Sequence, residues 1–195
     1  MVPFVGLTGG MGSGKSTALE ALRGLGAEVL SSDAVVHELY EGPQLRDAVV
    51  ARFGEEVAPD GVVDRAALAR RAFATAEDRA WLEGQVWPLV GARVAEWLER
   101  ARAKRPAPPA AVVEVPLLFE AGLDQLYDAT IAVISEESLR QRRASERGHA
   151  VVDERAARQL SQEEKARRAT FVVRNDGSVQ DLERELSAVL GKLGG

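Results

Sequence analysis

An α/β protein, with helices packed on a sheet of five parallel strands, is the fold that the sequence predicts. Three observations carry the expectation. An apolar, β-branched run at residues 2–8 ends in a glycine-rich stretch. A helical pattern over 16–25 and a second strand pattern at 29–30 follow, which makes a βαβ unit with a right-handed crossover. Further strand patterns at 110–115, 129–134 and 171–174 alternate with helical ones.

Each element has its own signal. Over 16–25, Leu19, Leu22 and Leu25 lie along one side, with Gly24 and Gly26 near the end. Helical periodicity fills 64–73 and 75–104, where Leu82, Val86, Leu89, Val94 and Leu98 share a face. Thr75 and Asp78 have capping spacing, and Pro88 predicts a kink or split. The KRPAPP run at 104–109 reads as a stiff connector. Ser135 is expected to cap a helix reaching Arg147, and Gly148 to break it. Helices are expected at 153–159 and at 161–168, the latter with Ser161 and Glu164 at capping spacing. Ser178 and Asp181 open a final amphipathic helix carrying Leu182, Leu186, Val189 and Leu190.

Composition narrows the function. Lys+Arg 25 against Asp+Glu 30 gives a net charge of −5, which argues against a general nucleic-acid binder. The absence of Cys excludes disulfides and thiolate chemistry, and two His argue against a histidine-rich metal site. No stretch approaches the roughly 20 apolar residues of a membrane span. The N-terminus lacks the basic start of a secretory signal, so a cytoplasmic protein is expected.

Gly9-Gly10-Met11-Gly12-Ser13-Gly14-Lys15-Ser16 matches G-x-x-x-x-G-K-[ST], between a strand and a helix as that motif requires. Glycines let the backbone N–H groups face inward as an anion nest, and the helix start adds its positive end. Lys15 is expected to reach the β- and γ-phosphates of a nucleoside triphosphate, and the Ser16 hydroxyl to ligate Mg2+. Thr17 follows in the same turn. An Asn-Lys-x-Asp guanine signature does not occur.

Asp33 follows the second strand, at the carboxyl edge where α/β proteins bind ligands. It can take the proton of an acceptor hydroxyl, or it can cap the helix over 34–40. Arg140, Arg143 and Arg147 share a helix face, either to meet transferring phosphate or to face solvent. Pro116 stops the third strand, which leaves Leu117, Leu118 and Phe119 to pack under an acceptor or in the core.

Together these residues resemble the dephospho-coenzyme A kinases. The opening from Gly6 to Ser16, Asp33, the stretch Asp60-Gly61-Val62-Val63-Asp64-Arg65, and Val115-Pro116-Leu117-Leu118-Phe119-Glu120 are similar to family motifs in order. So are Gln159, Lys165 and Asn175-Asp176-Gly177-Ser178. The resemblance implies transfer from Mg2+-ATP to the ribose 3′-hydroxyl of dephospho-CoA, a small-molecule acceptor, by a monomer or small homo-oligomer. It implies a P-loop three-layer core over 1–33, 106–137 and 169–195, an inserted helical acceptor lobe over 34–105 and a helical lid over 138–168. Asp33 is then the base, with Lys15 and Arg143 the other catalytic groups. Gly10, Met11, Gly12, Ser13, Gly14, Lys15, Ser16, Thr17, Arg143, Arg147, Asn175 and Gly177 would bind ATP. Asp33, Arg65, Trp87, Leu117, Leu118 and Phe119 would bind the acceptor. The chain departs from the family's pattern at Trp87, where a His is expected before the proline, at Arg140, where a Gln is expected, and at Glu114, where an Asp is expected.

Overall fold

The computed structural model describes residues 1–146 and 159–194. They form two compact units, one of residues 1–31 and 98–195 and one of residues 32–97.

The first unit is built on a five-stranded sheet of order β2-β3-β1-β4-β5. Its strands are β1 (Phe4–Gly9), β2 (Glu28–Ser31), β3 (Ala111–Glu114), β4 (Ala129–Ile134) and β5 (Phe171–Arg174), and every pairing is parallel. β1 lies in the middle and is buried from Val5 to Gly9, as an apolar run covered on both faces should be. Helix α1 (Lys15–Gly24) and the C-terminal helix, called α8 here (Val179–Leu193), share one core with the sheet. Leu22, Leu182 and Leu186 are each 0% exposed there, beside Val5, Leu7 and Ile131. The capping spacing at Ser178 holds: its hydroxyl accepts from Asp181 N–H at 3.2 Å, and the Asp181 carboxylate accepts from Ser178 N–H at 2.9 Å. Gly6 leaves room for Leu118 and Tyr127, whose atoms would stand 3.1 Å from a Cβ there. Burial pushes the Tyr127 phenol up to about 12.

Two further helices belong to this unit, α6 (Glu137–Glu146) and α7 (Gln162–Arg168). Ser161 caps α7, accepting from Glu164 N–H at 3.1 Å. Ser135 does not cap α6. It is buried, and its N–H and C=O bond the Gln162 side-chain amide at 3.0 and 2.9 Å. Asp176 instead accepts from Glu136 N–H at 2.7 Å, just before the helix begins. The expected helix over 153–159 falls almost wholly outside the described residues.

The second unit is helical: α2 (Ser32–Glu41), α3 (Pro43–Phe53), α4 (Arg65–Ala72) and most of α5 (Ala76–Ala103). Its own apolar core includes Leu45, Val49, Val57, Leu68, Leu82 and Val86. Asp64 caps α4 by accepting from Ala66 and Ala67 N–H at 2.9 and 3.1 Å. Thr75 accepts from Asp78 N–H at 3.0 Å, as its spacing predicts. Arg52 donates to Asp78 at 2.8 Å and to Glu77 at 3.1 Å, and its guanidinium lies 5.7 Å from the Trp81 ring. The structure departs from the sequence reading at two places. α3 has no counterpart in the sequence reading, although Gly42-Pro43 opens it and Gly54, at φ 92°, closes it. Of the kink or split expected at Pro88, the split does not occur, since α5 runs through that residue. A proline removes one backbone bond, while the apolar face of Leu82, Val86, Leu89 and Val90 continues on both sides of it.

Candidate active site

The site starts where β1 runs out. Gly12 and Gly14 have φ of 74° and 91°, values that favour glycine, and Gly14 leads directly into α1. The surroundings demand glycine as well. A Cβ on Gly14 would stand 1.9 Å from Asn175 Nδ2, one on Gly12 2.5 Å from the Arg140 carbonyl oxygen, and one on Gly9 2.4 Å from the Val133 carbonyl oxygen. The loop is therefore gripped from outside by the end of β4, by α6 and by Asn175.

That grip is polar and directional. Asn175 is buried, and its Nδ2 donates to the Ser13 carbonyl at 2.9 Å. Arg143 Nη1 donates to the Asn175 carbonyl at 3.1 Å. Arg140 Nε donates to the Met11 carbonyl at 3.0 Å, and its Nη1 bonds Glu137 at 2.6 Å. The arginine face of α6 thus meets the loop instead of solvent, while Arg142 on another side of the helix is exposed. Arg147 lies outside the described residues.

Lys15 Nζ curls over the loop and donates to the Gly9 and Gly10 carbonyls, each at 3.1 Å. Ser16 is exposed and Thr17 half-buried in the first turn of α1, a turn with no acidic residue to offset its positive end. Among the described residues no cluster of three or more His, Asp or Glu could hold a metal. A single exposed hydroxyl suits a magnesium ion carried mainly by phosphate oxygens.

The other predicted site residues divide between the two units. Asp33, Arg65 and Trp87 belong to the unit of residues 32–97. Asp33 is half-buried in the first turn of α2, which begins at Ser32. Arg65 is exposed in the first turn of α4, and Trp87 is 56% exposed on α5. Leu117, Leu118 and Phe119 belong with the loop. Leu118 is 0% exposed, and Phe119 is 3% exposed beneath the Arg168 guanidinium, 4.8 Å from its ring. These two are packed side chains here, and only Leu117 of the three is half-exposed. Gly177 is exposed, and a Cβ on it would stand 2.7 Å from Asp181 Oδ2, so a larger residue there would press on the carboxylate of the capping box. The loop contact of Arg140 is not readable in advance, because Arg140 and Met11 are 129 residues apart.

A glycine loop leading into a helix N-terminus, closed by an ammonium and buttressed by guanidinium groups, suits a nucleotide's polyphosphate. The molecule is of the P-loop kinase class. A sequence profile described as dephospho-CoA kinase matches residues 3–181. A dephospho-CoA kinase of Deinococcus radiodurans is 41% identical over 192 residues, covering 97% of this chain and 91% of its own. One from Anaeromyxobacter dehalogenans is 40% identical over 196 residues, covering 98% of this chain and 92% of its own. A crystal structure from Thermus thermophilus superposes with a TM-score of 0.82 at 38% identity, covering 100% of this chain and 99% of that one. The chain belongs to the dephospho-CoA kinase family. Membership makes ATP the phosphate donor and a small molecule the acceptor. Among the described residues no helix is long and apolar enough to cross a membrane.

Proposed function

We infer that the protein transfers the γ-phosphoryl group of ATP to dephospho-CoA, giving CoA and ADP, the last step of CoA biosynthesis. The observation that carries this reading is the family match over residues 3–181, on a chain whose phosphate loop is formed and buttressed.

In the proposed mechanism Lys15 exchanges its bonds to the Gly9 and Gly10 carbonyls for β- and γ-phosphate oxygens. The loop N–H groups from Gly10 to Ser16 and the hydroxyl of Thr17 hold the rest of the polyphosphate. Ser16 Oγ would hold magnesium, which when bound spreads the developing charge of the transfer. Asp33 takes the proton of the ribose 3′-hydroxyl as that oxygen bonds to the γ-phosphorus and the bond to the ADP oxygen breaks. Arg143 moves from the Asn175 carbonyl to the transferring group. Arg147 assists it, and Asn175 and Gly177 sit beside the adenine. Arg65, Trp87 and Leu117 contact the acceptor, with Leu118 and Phe119 as the packed floor beneath it. Residues 1–33, 106–137 and 169–195 serve as the nucleotide core, 34–105 as the acceptor lobe and 138–168 as a lid that excludes water. The enzyme works in the cytoplasm on small molecules, without nucleic acid or membrane, as a monomer or small homo-oligomer.

ADP release is the test, measured with Mg2+-ATP and dephospho-CoA, AMP, CMP, adenosine, gluconate or shikimate. Dephospho-CoA alone should stimulate it, with CoA as product. Stimulation by a different acceptor would keep the phosphate loop and overturn the substrate.

A further inference from the structure

Helix α7 is short, and its buried residues are Gln162 and Lys165, both polar. An apolar helix can seat in several ways, but one held by directed bonds seats in one. Lys165 is 0% exposed at its side chain, and its carboxylate partner Glu120 is 11% exposed. Its ammonium donates to Glu120 Oε1 at 2.9 Å, to the Pro116 carbonyl at 2.8 Å and to Thr8 Oγ1 at 3.3 Å. Those bonds occupy all the donors that a lysine has. Glu120 Oε1 also accepts from Leu160 N–H at 2.7 Å, and Thr8 Oγ1 lies 3.3 Å from the Pro116 carbonyl. One turn earlier, the Gln162 amide bonds both the N–H and C=O of Ser135.

The partners have a common address. Thr8 is the residue before the phosphate loop's first glycine, Pro116 ends the stretch after β3, and Ser135 directly follows β4. Two polar side chains on one helix turn therefore fasten the carboxyl ends of β1, β3 and β4. Stability alone does not account for a buried ion pair, because well-packed apolar residues of similar volume usually serve as well or better. What the pair supplies is fixed geometry. Burial lowers the Lys165 pKa, and the Glu120 carboxylate beside it opposes that shift.

We propose that the Lys165–Glu120 pair positions the segment 116–120 against the start of the phosphate loop, so that Leu117 meets the acceptor in register with the phosphoryl donor. Lys165 and Glu120 are positioning residues, and the kinetic part of this proposal rests on the acceptor reading given above. The test replaces both charges at once, Lys165→Met with Glu120→Leu, so that neither is left buried alone. Melting temperature, steady-state kinetics and hydrogen exchange are then measured on the full chain.

The expected result is a melting temperature lowered only as far as the loss of the bonds to Leu160 N–H and the Pro116 carbonyl requires, with a folded chain and faster exchange confined to 116–121 and 160–165. The kcat/KM for dephospho-CoA should fall by about 100-fold, the loss that a small misplacement of reacting groups causes, while the KM for ATP holds. Glu120→Gln is the comparison variant: it leaves the buried Lys165 without its counter-charge, so it should melt below the double variant, and its kinetics are read well below that melting temperature. It keeps an oxygen for Lys165 and for Leu160 N–H, so its kcat/KM should stay within about threefold of wild type. Wild-type exchange and kinetics in the double variant would overturn the proposal, as would a Gln variant as impaired as the double one. A wild-type enzyme that ignores dephospho-CoA, with exchange still faster in the double variant, would sink the acceptor reading and leave the bracket standing.

Discussion

The phosphate loop and the helical unit of residues 32–97 are held together in opposite ways. Around the loop, single atoms decide: Asn175 Nδ2 on the Ser13 carbonyl, Arg140 Nε on the Met11 carbonyl, and glycines where any Cβ would collide. The helical unit relies on an apolar core, with ion pairs such as Arg52–Asp78 and Arg71–Glu56 at its surface. Directed bonds fix position, and apolar burial fixes only compactness. A phosphotransferase needs the first kind where charge develops. It can use the second where a large acceptor must be accommodated.

Asp33 tests this division most severely, because it belongs to the apolar-packed unit and yet is proposed to do chemistry. Asp33→Asn should lower kcat by roughly 10²- to 10⁴-fold, with a smaller change in the KM for ATP, in steady-state assays. An unchanged kcat would overturn Asp33 as the base. Arg143→Ala should cost about 100-fold in kcat, the loss expected from removing a preorganised charge donor. Wild-type turnover would leave that arginine as a buttress of Asn175 alone.

Gly14→Ala sharpens the comparison from the loop's side. Its φ of 91° and the Asn175 amide 1.9 Å from the new Cβ should cost about 1–3 kcal/mol in denaturant unfolding and raise the KM for ATP. The smallest effect belongs to the surface pairs. The Arg52 guanidinium holds the Asp78 carboxyl below its ordinary 3.8, so the folded protein takes up that proton less readily than the unfolded chain. The stabilisation is complete above the ordinary value and fades as the pH falls through the folded one. Asp78→Asn should therefore flatten the melting temperature's dependence on pH below 3.8 and leave activity at neutral pH unchanged.

What the sequence made legible follows the same line. The loop is readable because positive φ and close approach leave only glycine, and the helix caps because Ser161 and Ser178 act within one turn. The strands were readable as apolar runs, since a sheet covered on both faces wants little else. Ser135 has capping chemistry but a different place, because its partner, Gln162, is 27 residues away. The buried place of Lys165 was hidden in a helix that reads as charged on every side, and α3 in an apolar pattern of no clear period. Contacts between distant polar side chains carry much of this site, and local rules do not see them.

The central position of β1 also sets a timetable. The nucleotide motif is complete within residues 1–16, but β1 has no strand partners until residues 111–114 and 129–134 exist. Parallel pairing across such separations forms slowly and only once loop closure is overcome. A chain emerging from the ribosome therefore carries its most recognisable motif first and acquires nucleotide binding late. ATP capture by stalled nascent chains of increasing length would report the moment at which β4 docks, and with it the completion of the sheet's centre.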